Sequence, residues 1–327
     1  MSECWTLTVE LPRIDPIRTE VTICLGLDSS PPSTGGHRLD GHLRGPVCAL
    51  ATTLPMTVPL LPFTRSGSSG GQLTARAMLT EPGFWTPDLP MLYELSVEVE
   101  TATSTNKTVA EGRGHSRSAK HAINGHIGLR RLWASDRSIL LDGHRLVVRG
   151  VTASENVAVD DLRSSRTSLV ACDPSSAKRI ATVADRAGIV LVVRFNAEQS
   201  AAAAVIALRH PSIGFVVTRS PEAAKACRFQ ATRGRGLVGL EVDAAFPPPS
   251  QAPEADFLVA ALPLGGLPHP AWIDPPRMPL RASRVDTAGD DPRLSCDALQ
   301  ADLAAWGSRC SANPRRWDWS GYLIDRR

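Results

Sequence analysis

The chain has 327 residues, of which 43% are hydrophobic and 21% are charged, and its formal net charge is +3. This ordinary globular composition predicts a buried core and about two domains. So small a charge gives no reason to expect nucleic acid or an anionic membrane as a main partner. The seven cysteines are widely spaced and form no CxxC pair, so we expect buried, reduced thiols.

Targeting and cofactor signals are missing from the sequence. The first residues (MSECWTLTVE) lack the basic start and apolar segment of a signal peptide, and no run of about 20 apolar residues occurs. No glycine-rich phosphate loop or metal-ligand spacing is found either. We therefore expect a cytoplasmic protein with no membrane partner, no cofactor and no metal.

The first 130 residues predict a β-sandwich. Apolar and polar residues alternate in several short runs, of which Leu92–Val99 (LYELSVEV) is the clearest. Such alternation predicts strands with one buried and one wet face. Turn-rich patches at Ser29–Gly36 and Ser66–Gly71 separate the runs, which is typical of a sandwich.

Beyond Arg145 the pattern changes to short, continuous apolar runs that alternate with Ala-rich stretches. Runs of this kind are typical of parallel strands buried on both faces. They predict a reduced (β/α)8 TIM-like barrel, smaller than the usual barrel of about 250 residues, with an open doubly wound sheet as the alternative. The eight predicted strands are Leu146–Val151, Ser168–Cys172, Ile189–Phe195, Ile213–Thr218, Leu237–Asp243, Phe257–Leu262, Leu280–Val285 and Tyr322–Ile324.

Three stretches between these strands predict helices. Ser175–Ala187 follows Asp173 and precedes Gly188, which are favourable residues for the two ends of a helix. Ala197–Arg209 and Cys296–Ser308 are likewise predicted to be helical. The gaps after the fifth and sixth strands hold mostly Pro and Gly, so helices are doubtful there.

Three motifs, in order, resemble segments of the family 2 glycoside hydrolases, the β-galactosidase and β-glucuronidase family. Glu81–Leu95 (EPGFWTPDLPMLYEL) is similar to a segment of their immunoglobulin-like domain. Arg130 with Ile139–Val151 (ILLDGHRLVVRGV) looks like their junction into the barrel, and Arg209–Ile213 (RHPSI) resembles the opening of their fourth barrel strand. The resemblance covers about residues 81–325. It implies an immunoglobulin-like sandwich over 1–130, a junction over 131–145 and a reduced barrel over 146–327.

The same resemblance implies where the catalytic carboxylates of the family should lie. A retaining glycosidase needs two of them, about 5–5.5 Å apart. The register places Pro221 at the position of the acid/base Glu and Arg284 at that of the nucleophile. Proline has no proton to give, and arginine stays protonated and cannot attack. The acidic pair of the third strand is replaced by Val193 and Arg194.

We therefore expect a pseudoenzyme that acts as a carbohydrate- or anion-binding module or as a scaffold for a protein partner. The alternative is an active hydrolase with relocated carboxylates. Its candidate residues are Glu198, Glu222 and Asp286, of which Glu222 lies one residue from the aligned acid/base position.

Four residues are candidates for ligand binding. Arg194, Arg219 and Arg284 each follow or end an apolar strand and could converge at the barrel mouth, where they would need a counter-charge. That counter-charge would be an internal carboxylate such as Asp243 or Asp286, or an external anion. Trp319 belongs to an aromatic segment that in the family floors the sugar site, although core packing is the commoner role of a tryptophan.

Overall fold

The computed structural model describes residues 5–27, 37–63, 72–102, 118–152, 168–196, 210–231, 236–273, 280–286, 291–310 and 319–326. The chain divides into two compact units. The first comprises Met1–Gly83 and Met91–Leu129, and the second comprises Phe84–Pro90 and Arg130–Arg327.

The described residues of the first unit form eight strands in two antiparallel sheets. They are β1 (Trp5–Arg13), β2 (Arg18–Leu27), β3 (His37–Val47), β4 (Met56–Pro59), β5 (Leu61–Pro62), β6 (Leu73–Thr80), β7 (Leu92–Ala102) and β8 (Ser118–Ile127). One sheet has the order β1-β2-β6-β5 and the other has the order β4-β3-β7-β8. Along β7, Leu95, Val97 and Val99 are buried whereas Glu98 is exposed, as the alternation in the sequence predicted.

The second unit contains a small antiparallel sheet and a closed barrel. The small sheet consists of β9 (Leu132–Ser135), β10 (Ser138–Leu141) and β11 (His144–Arg145). The barrel strands are β12 (Val148–Thr152), β13 (Leu169–Cys172), β14 (Val190–Arg194), β15 (Ile213–Thr218), β16 (Leu237–Asp243), β17 (Phe257–Leu262), β18 (Leu280–Asp286) and β19 (Trp319–Arg326). Each is parallel to the next, and β19 pairs in parallel with β12, which closes the barrel and excludes the open doubly wound sheet.

The barrel carries fewer helices than a complete (β/α)8 barrel. The described residues contain three α-helices, α1 (Pro174–Ala187), α2 (Pro221–Ala231) and α3 (Pro292–Cys310), and the 3-10 helix Pro270–Ile273. None of these helices is long and apolar enough to cross a membrane. The loop after β16 has no helix and the loop after β17 has only the 3-10 turn, as their Pro and Gly content predicted. The helix predicted at Ala197–Arg209 lies outside the described residues.

Capping chemistry sets both ends of α1, as the sequence predicted. The Asp173 carboxylate accepts hydrogen bonds from the backbone N–H groups of Ser175, at 2.8 Å, and Ser176, at 3.1 Å. At the other end Gly188 has φ 72°, a left-handed conformation that a residue without a Cβ adopts at little cost.

Trp85 belongs to the second unit, although the segment Glu81–Leu95 resembles part of an immunoglobulin-like domain. Its side chain is 1% exposed, and its indole N–H donates to the carbonyl oxygen of Asp185 on α1, at 2.8 Å. A tryptophan with a satisfied N–H can be buried fully, and this bond links the segment Phe84–Pro90 to helix α1.

The cysteines of the described regions are all free, and four of them are buried: Cys24, Cys172, Cys227 and Cys296. Burial raises the pKa of Cys172 to about 12 and the pKa values of Cys227 and Cys296 to about 11. Because the thiolate is the reactive form, these three thiols are inert packing groups at neutral pH.

Two aromatic rings fill one layer of the barrel interior. Phe215 on β15 and Phe257 on β17 meet edge to face, with their ring centres 5.6 Å apart. Between them on β16 lies Gly239, whose missing side chain leaves room for the Phe257 ring. A Cβ there would lie 2.5 Å from Cζ of Phe257.

We therefore expect Gly239→Ala to lower the free energy of unfolding by about 1–3 kcal/mol, because the Phe257 ring has to leave its place. The matched control is Gly214→Ala on β15, where the nearest atoms would lie at 3.5 Å, an ordinary contact. Urea unfolding of the two variants measures the difference. Equal stability of both variants would contradict this account of the interior.

Candidate functional site

A cleft of about 630 Å³ opens at the carboxyl ends of strands β13 to β16. Ligand sites of barrel proteins lie at this end of the strands. Seven of its nine lining residues have polar side chains, which combine hydrogen-bond donors with acceptors. Its residues are Asp173, Arg194, Phe195, Asn196, Val217, Thr218, Arg219, Ser220 and Glu241.

The guanidinium group of Arg194 lies at the centre of this end of the barrel. Nη2 contacts Oε2 of Glu241 on β16 at 3.1 Å and donates to Oγ of Ser283 on β18 at 2.8 Å. Nη1 donates to Oδ1 of Asp325 on β19. One side chain from β14 therefore ties the ends of three other strands together.

Both carboxylates have further partners that complete the network. Glu241, whose side chain is 7% exposed, also accepts from Nε and Nη2 of Arg219, at 2.8 and 2.6 Å. Asp325 accepts hydrogen bonds from the hydroxyl groups of Thr152, at 2.5 Å, and Ser283, at 2.6 Å. Two arginines thus face two carboxylates, and the charges within the network cancel.

Glu241 raises the pKa of Arg219, first through its hydrogen bonds and then through its charge. An arginine side chain is protonated at neutral pH in any case, so the higher pKa does not change the charge of Arg219. Its structural meaning is that the positive charge of Arg219 is already matched inside the protein.

Asp173 lines the cleft and also begins α1. Burial would raise its pKa, but the hydroxyl and backbone groups of Ser175 and Ser176 donate to the carboxylate and lower the pKa below the usual value. The charge is therefore held by the helix end and is a fixed negative group at the edge of the cleft.

Arg284 does not join the other two arginines. Its Nη1 donates to Oδ2 of Asp302 on α3, at 2.5 Å, and the side chain is 9% exposed. Side chains alternate along a strand, so the neighbouring Ser283 occupies the barrel interior and Arg284 faces the helix. The expectation of a shared three-arginine cleft does not hold for Arg284, whose described counter-charge is Asp302.

Trp319 does not line the cleft either. It is 3% exposed, packs in the hydrophobic core of the barrel and begins β19, at the end of the strand opposite the mouth. The predicted eighth strand, Tyr322–Ile324, was too short at both ends, because its flanking residues are polar or small although the ladder with β12 and β18 includes them.

The structure describes only one of the three side chains that were candidates for relocated catalytic carboxylates. Glu198 lies outside the described residues, and Asp286 ends β18 with a side chain outside the described part. Glu222 is exposed on the first turn of α2, where its own backbone N–H and then the Ser220 hydroxyl lower its pKa. A general acid needs a raised pKa, so Glu222 is tuned in the wrong direction for that role.

The residues at the family's acid/base position form a helix start. The Ser220 hydroxyl accepts from the backbone N–H of Ala223, at 3.2 Å, and Pro221 is the first helical residue. Proline is well suited to that place because its missing N–H has no partner in the first turn.

Sequence reasoning missed Glu241 and Asp325. Glu241 is the one acidic residue within the apolar run LVGLE, two positions from Gly239, so alternation could have placed it inside the barrel. Asp325 had no comparable signal, because the predicted strand ended one residue before it.

No protein-family model matches this sequence, and a search of curated proteins found no match. Several solved structures are similar in fold. A calcium-binding mutant of Bacteroides uniformis β-glucuronidase 2 is 12% identical with a TM-score of 0.62, over 98% of this chain and 46% of that protein. The Bifidobacterium dentium β-glucuronidase complexed with coumarin-3-O-glucuronide is 14% identical with a TM-score of 0.57, over 97% of this chain and 59% of that one.

A family 2 glycosyl hydrolase from Bacteroides cellulosilyticus is 12% identical with a TM-score of 0.58, over 97% of this chain and 43% of that protein. The chain has a family 2 glycoside hydrolase-like fold. It spans only 43% to 59% of the length of these three proteins.

The network predicts unequal costs for the two arginines of the mouth. Arg194→Met should lower the free energy of unfolding by at least about 2 kcal/mol, because Asp325 loses its cation in a partly buried place. Arg219→Met should cost under about 1 kcal/mol, since the Arg219 side chain is 82% exposed. Urea unfolding of both variants tests this, and a costlier Arg219 variant would contradict the central place of Arg194.

The cap of α1 predicts a pH dependence. Asp173→Ala should cost about 1 kcal/mol at neutral pH. The folded pKa is lower than the unfolded value of about 3.9, so the contribution is present above that value and is lost as the pH falls through the folded pKa. The difference between wild type and variant in urea unfolding should therefore shrink below about pH 4.

Asp173→Asn is the matched control for this experiment, because asparagine caps helices as well as aspartate does but does not titrate. A cost of Asp173→Ala that stays constant into strong acid would show that the carboxylate charge is irrelevant to the cap.

Proposed function

We propose that this chain is a catalytically inactive, family 2 glycoside hydrolase-like protein that binds a neutral carbohydrate at the barrel mouth. The single observation that carries the proposal is the bridge formed by Arg194 between Glu241 and Asp325. It engages the carboxylates of Glu241 and Asp325 with a cation, and the cleft lies beside it.

The bridge opposes hydrolysis for a chemical reason. A retaining mechanism needs one carboxylate free to attack and a second that carries a proton. The oxygens of Glu241 and Asp325 already accept N–H and O–H bonds from Arg194, Arg219, Ser283 and Thr152. Neither can approach a sugar carbon without breaking charge-assisted hydrogen bonds.

The charge balance of the cleft favours a neutral ligand over an anion. Arg194 and Arg219 are matched by Glu241 and Asp325, and Asp173 adds a negative group at the edge. An incoming anion would have to displace an internal carboxylate from an arginine. A hydroxyl group both donates and accepts, and so it fits the mixed lining of Asn196, Thr218 and Ser220.

Several features of the whole chain accompany this proposal. We propose that the two antiparallel sheets form an immunoglobulin-like sandwich over residues 1–130 and that 131–145 is the junction to the barrel. The free cysteines support a reducing location such as the cytoplasm. We also propose that the chain serves as a scaffold for a protein partner, since a cleft that does not catalyse a reaction can still bind another molecule.

Purified protein should not hydrolyse 4-nitrophenyl β-glucoside, β-galactoside or β-glucuronide above the rate without protein. The physical reason is the occupied oxygens of Glu241 and Asp325. Turnover that disappears in Glu241→Gln or Glu222→Gln would contradict the proposal and would support an active hydrolase with relocated carboxylates.

Binding is measured by calorimetry with neutral methyl β-glycosides, and with methyl β-glucuronide and sulfate as anionic comparators. We expect a neutral glycoside to bind and Asn196→Ala to weaken it roughly three- to tenfold, the effect of one hydrogen bond. Asn124→Ala, an equally exposed asparagine on β8, is the control and should leave binding unchanged. Preferential binding of sulfate would contradict the choice of a neutral ligand.

A further inference from the structure

Arg281 is a buried cation inside the barrel, on the opposite side from the mouth. It is the second residue of β18 and is 4% exposed. Its guanidinium carbon lies 3.6 Å from the ring centre of Phe215 and 4.8 Å from that of Phe257. The two rings thus hold the guanidinium group in place but supply no oxygen atom to its N–H groups.

The donors of Arg281 lack acceptors among the residues that the structure describes. Its Nε and Nη2 atoms are buried and make no hydrogen bond, and the same is true of Nε of Arg194. Buried polar groups in native proteins nearly always have a partner, which is often an ordered water molecule or an ion. Three unmatched nitrogen atoms on two arginines therefore indicate a missing acceptor.

Both arginines line one small cavity within the barrel. Most of the remaining lining is apolar and consists of the aliphatic side chains of Val148, Leu169, Val192, Val217, Val259 and Leu323, with Ala282, Gly321 and Tyr322. The cavity has room for about one water-sized particle, too little for sulfate, phosphate or a sugar.

The charge of Arg281 sets it apart from the other arginines of the barrel. Arg194, Arg219 and Arg284 each contact a carboxylate, whereas Arg281 forms no ion pair in the described part of the chain. Burial lowers the pKa of Arg281 to about 9, so it is still protonated at neutral pH. Contact with aromatic rings offsets only part of the cost of burying a cation.

We propose that this cavity is a binding site for one small monovalent anion of the halide class, such as chloride, held by Arg281 and Arg194. The anion accepts from the unmatched N–H groups and balances the charge of Arg281. A water molecule in the same cavity offers two lone pairs but no charge, and so it meets only the first of these needs. The site shares Arg194 and Val217 with the cleft at the mouth, whereas Arg281 lines only this cavity.

An anion that binds the folded state and not the unfolded chain stabilises the fold by mass action. Chloride added at constant ionic strength, in exchange for gluconate, should raise the Tm of the full chain by a few degrees and then saturate. Gluconate is too large for the cavity, so the exchange varies only the occupant.

The variant that tests the site is Arg281→Met, which keeps an apolar chain between the two rings and removes the charge. Its Tm should not respond to chloride. Arg284→Met is the matched control on the same strand, and it should keep the full chloride response because Arg284 contacts Asp302 outside the barrel interior. Equal chloride responses in wild type and Arg281→Met, or no response in wild type, would overturn the proposal.

A crystal of wild-type protein grown in bromide provides a test that requires no variant. We expect one anomalous peak within hydrogen-bond distance of the Arg281 guanidinium. A water molecule at that position in bromide, or an empty cavity, would overturn the proposal even if Arg281→Met fails to fold.

Discussion

The ion pairs of Arg194 are the interaction on which the mouth of the barrel depends. A parallel barrel directs every second side chain of each strand into one shared interior, so charged residues there must find partners among themselves. Arg194 meets this constraint by contacting Glu241 and Asp325, and these in turn engage Arg219, Ser283 and Thr152. Strands that are far apart in the chain are thereby joined at their carboxyl ends. The described residues of the barrel contain only three α-helices, so these side-chain contacts add to the links between the strands.

The same network is the basis for the proposal that the cleft binds without catalysis. Catalysis by paired carboxylates needs groups whose environments differ, so that one is protonated and the other is free. Here one guanidinium contacts both Glu241 and Asp325. The fold of a glycosidase is therefore compatible with a cleft that recognises a ligand and leaves it unchanged, because fold and reaction are carried by different residues.

The sequence predicted the barrel strands better than the helices or the contacts of the site, and it gave no signal that we used for helix α2. Strands β15, β16 and β17 were predicted with their observed bounds, because each is a continuous apolar run with clear polar ends. The cap of α1 followed from Asp173 and Gly188 alone. The structure does not place Arg284 and Trp319 in the cleft where we expected them. Resemblance to a motif gives a position along the chain but not the face of the strand on which the side chain lies. Asp325 was not predicted as a site residue, because pairing with β18 rather than local propensity extends β19 beyond Ile324.

The alternation of side chains between the two faces of a strand explains which residues reach the barrel interior. Arg281 and Ser283 share the inner face of β18, and Arg284 takes the outer one, so a shift of one residue exchanges an interior group for a helix contact. Applied to β16, the same rule groups Glu241 with Gly239, on the face that also receives the Phe257 ring. The interior then divides into a mouth layer with matched charges and an inner layer in which Arg281 lies between two aromatic rings. In that inner layer the two rings fix the position of the Arg281 guanidinium, and no described carboxylate contacts it. Under the proposal above, the positive charge of Arg281 is therefore balanced by an anion in the adjoining cavity.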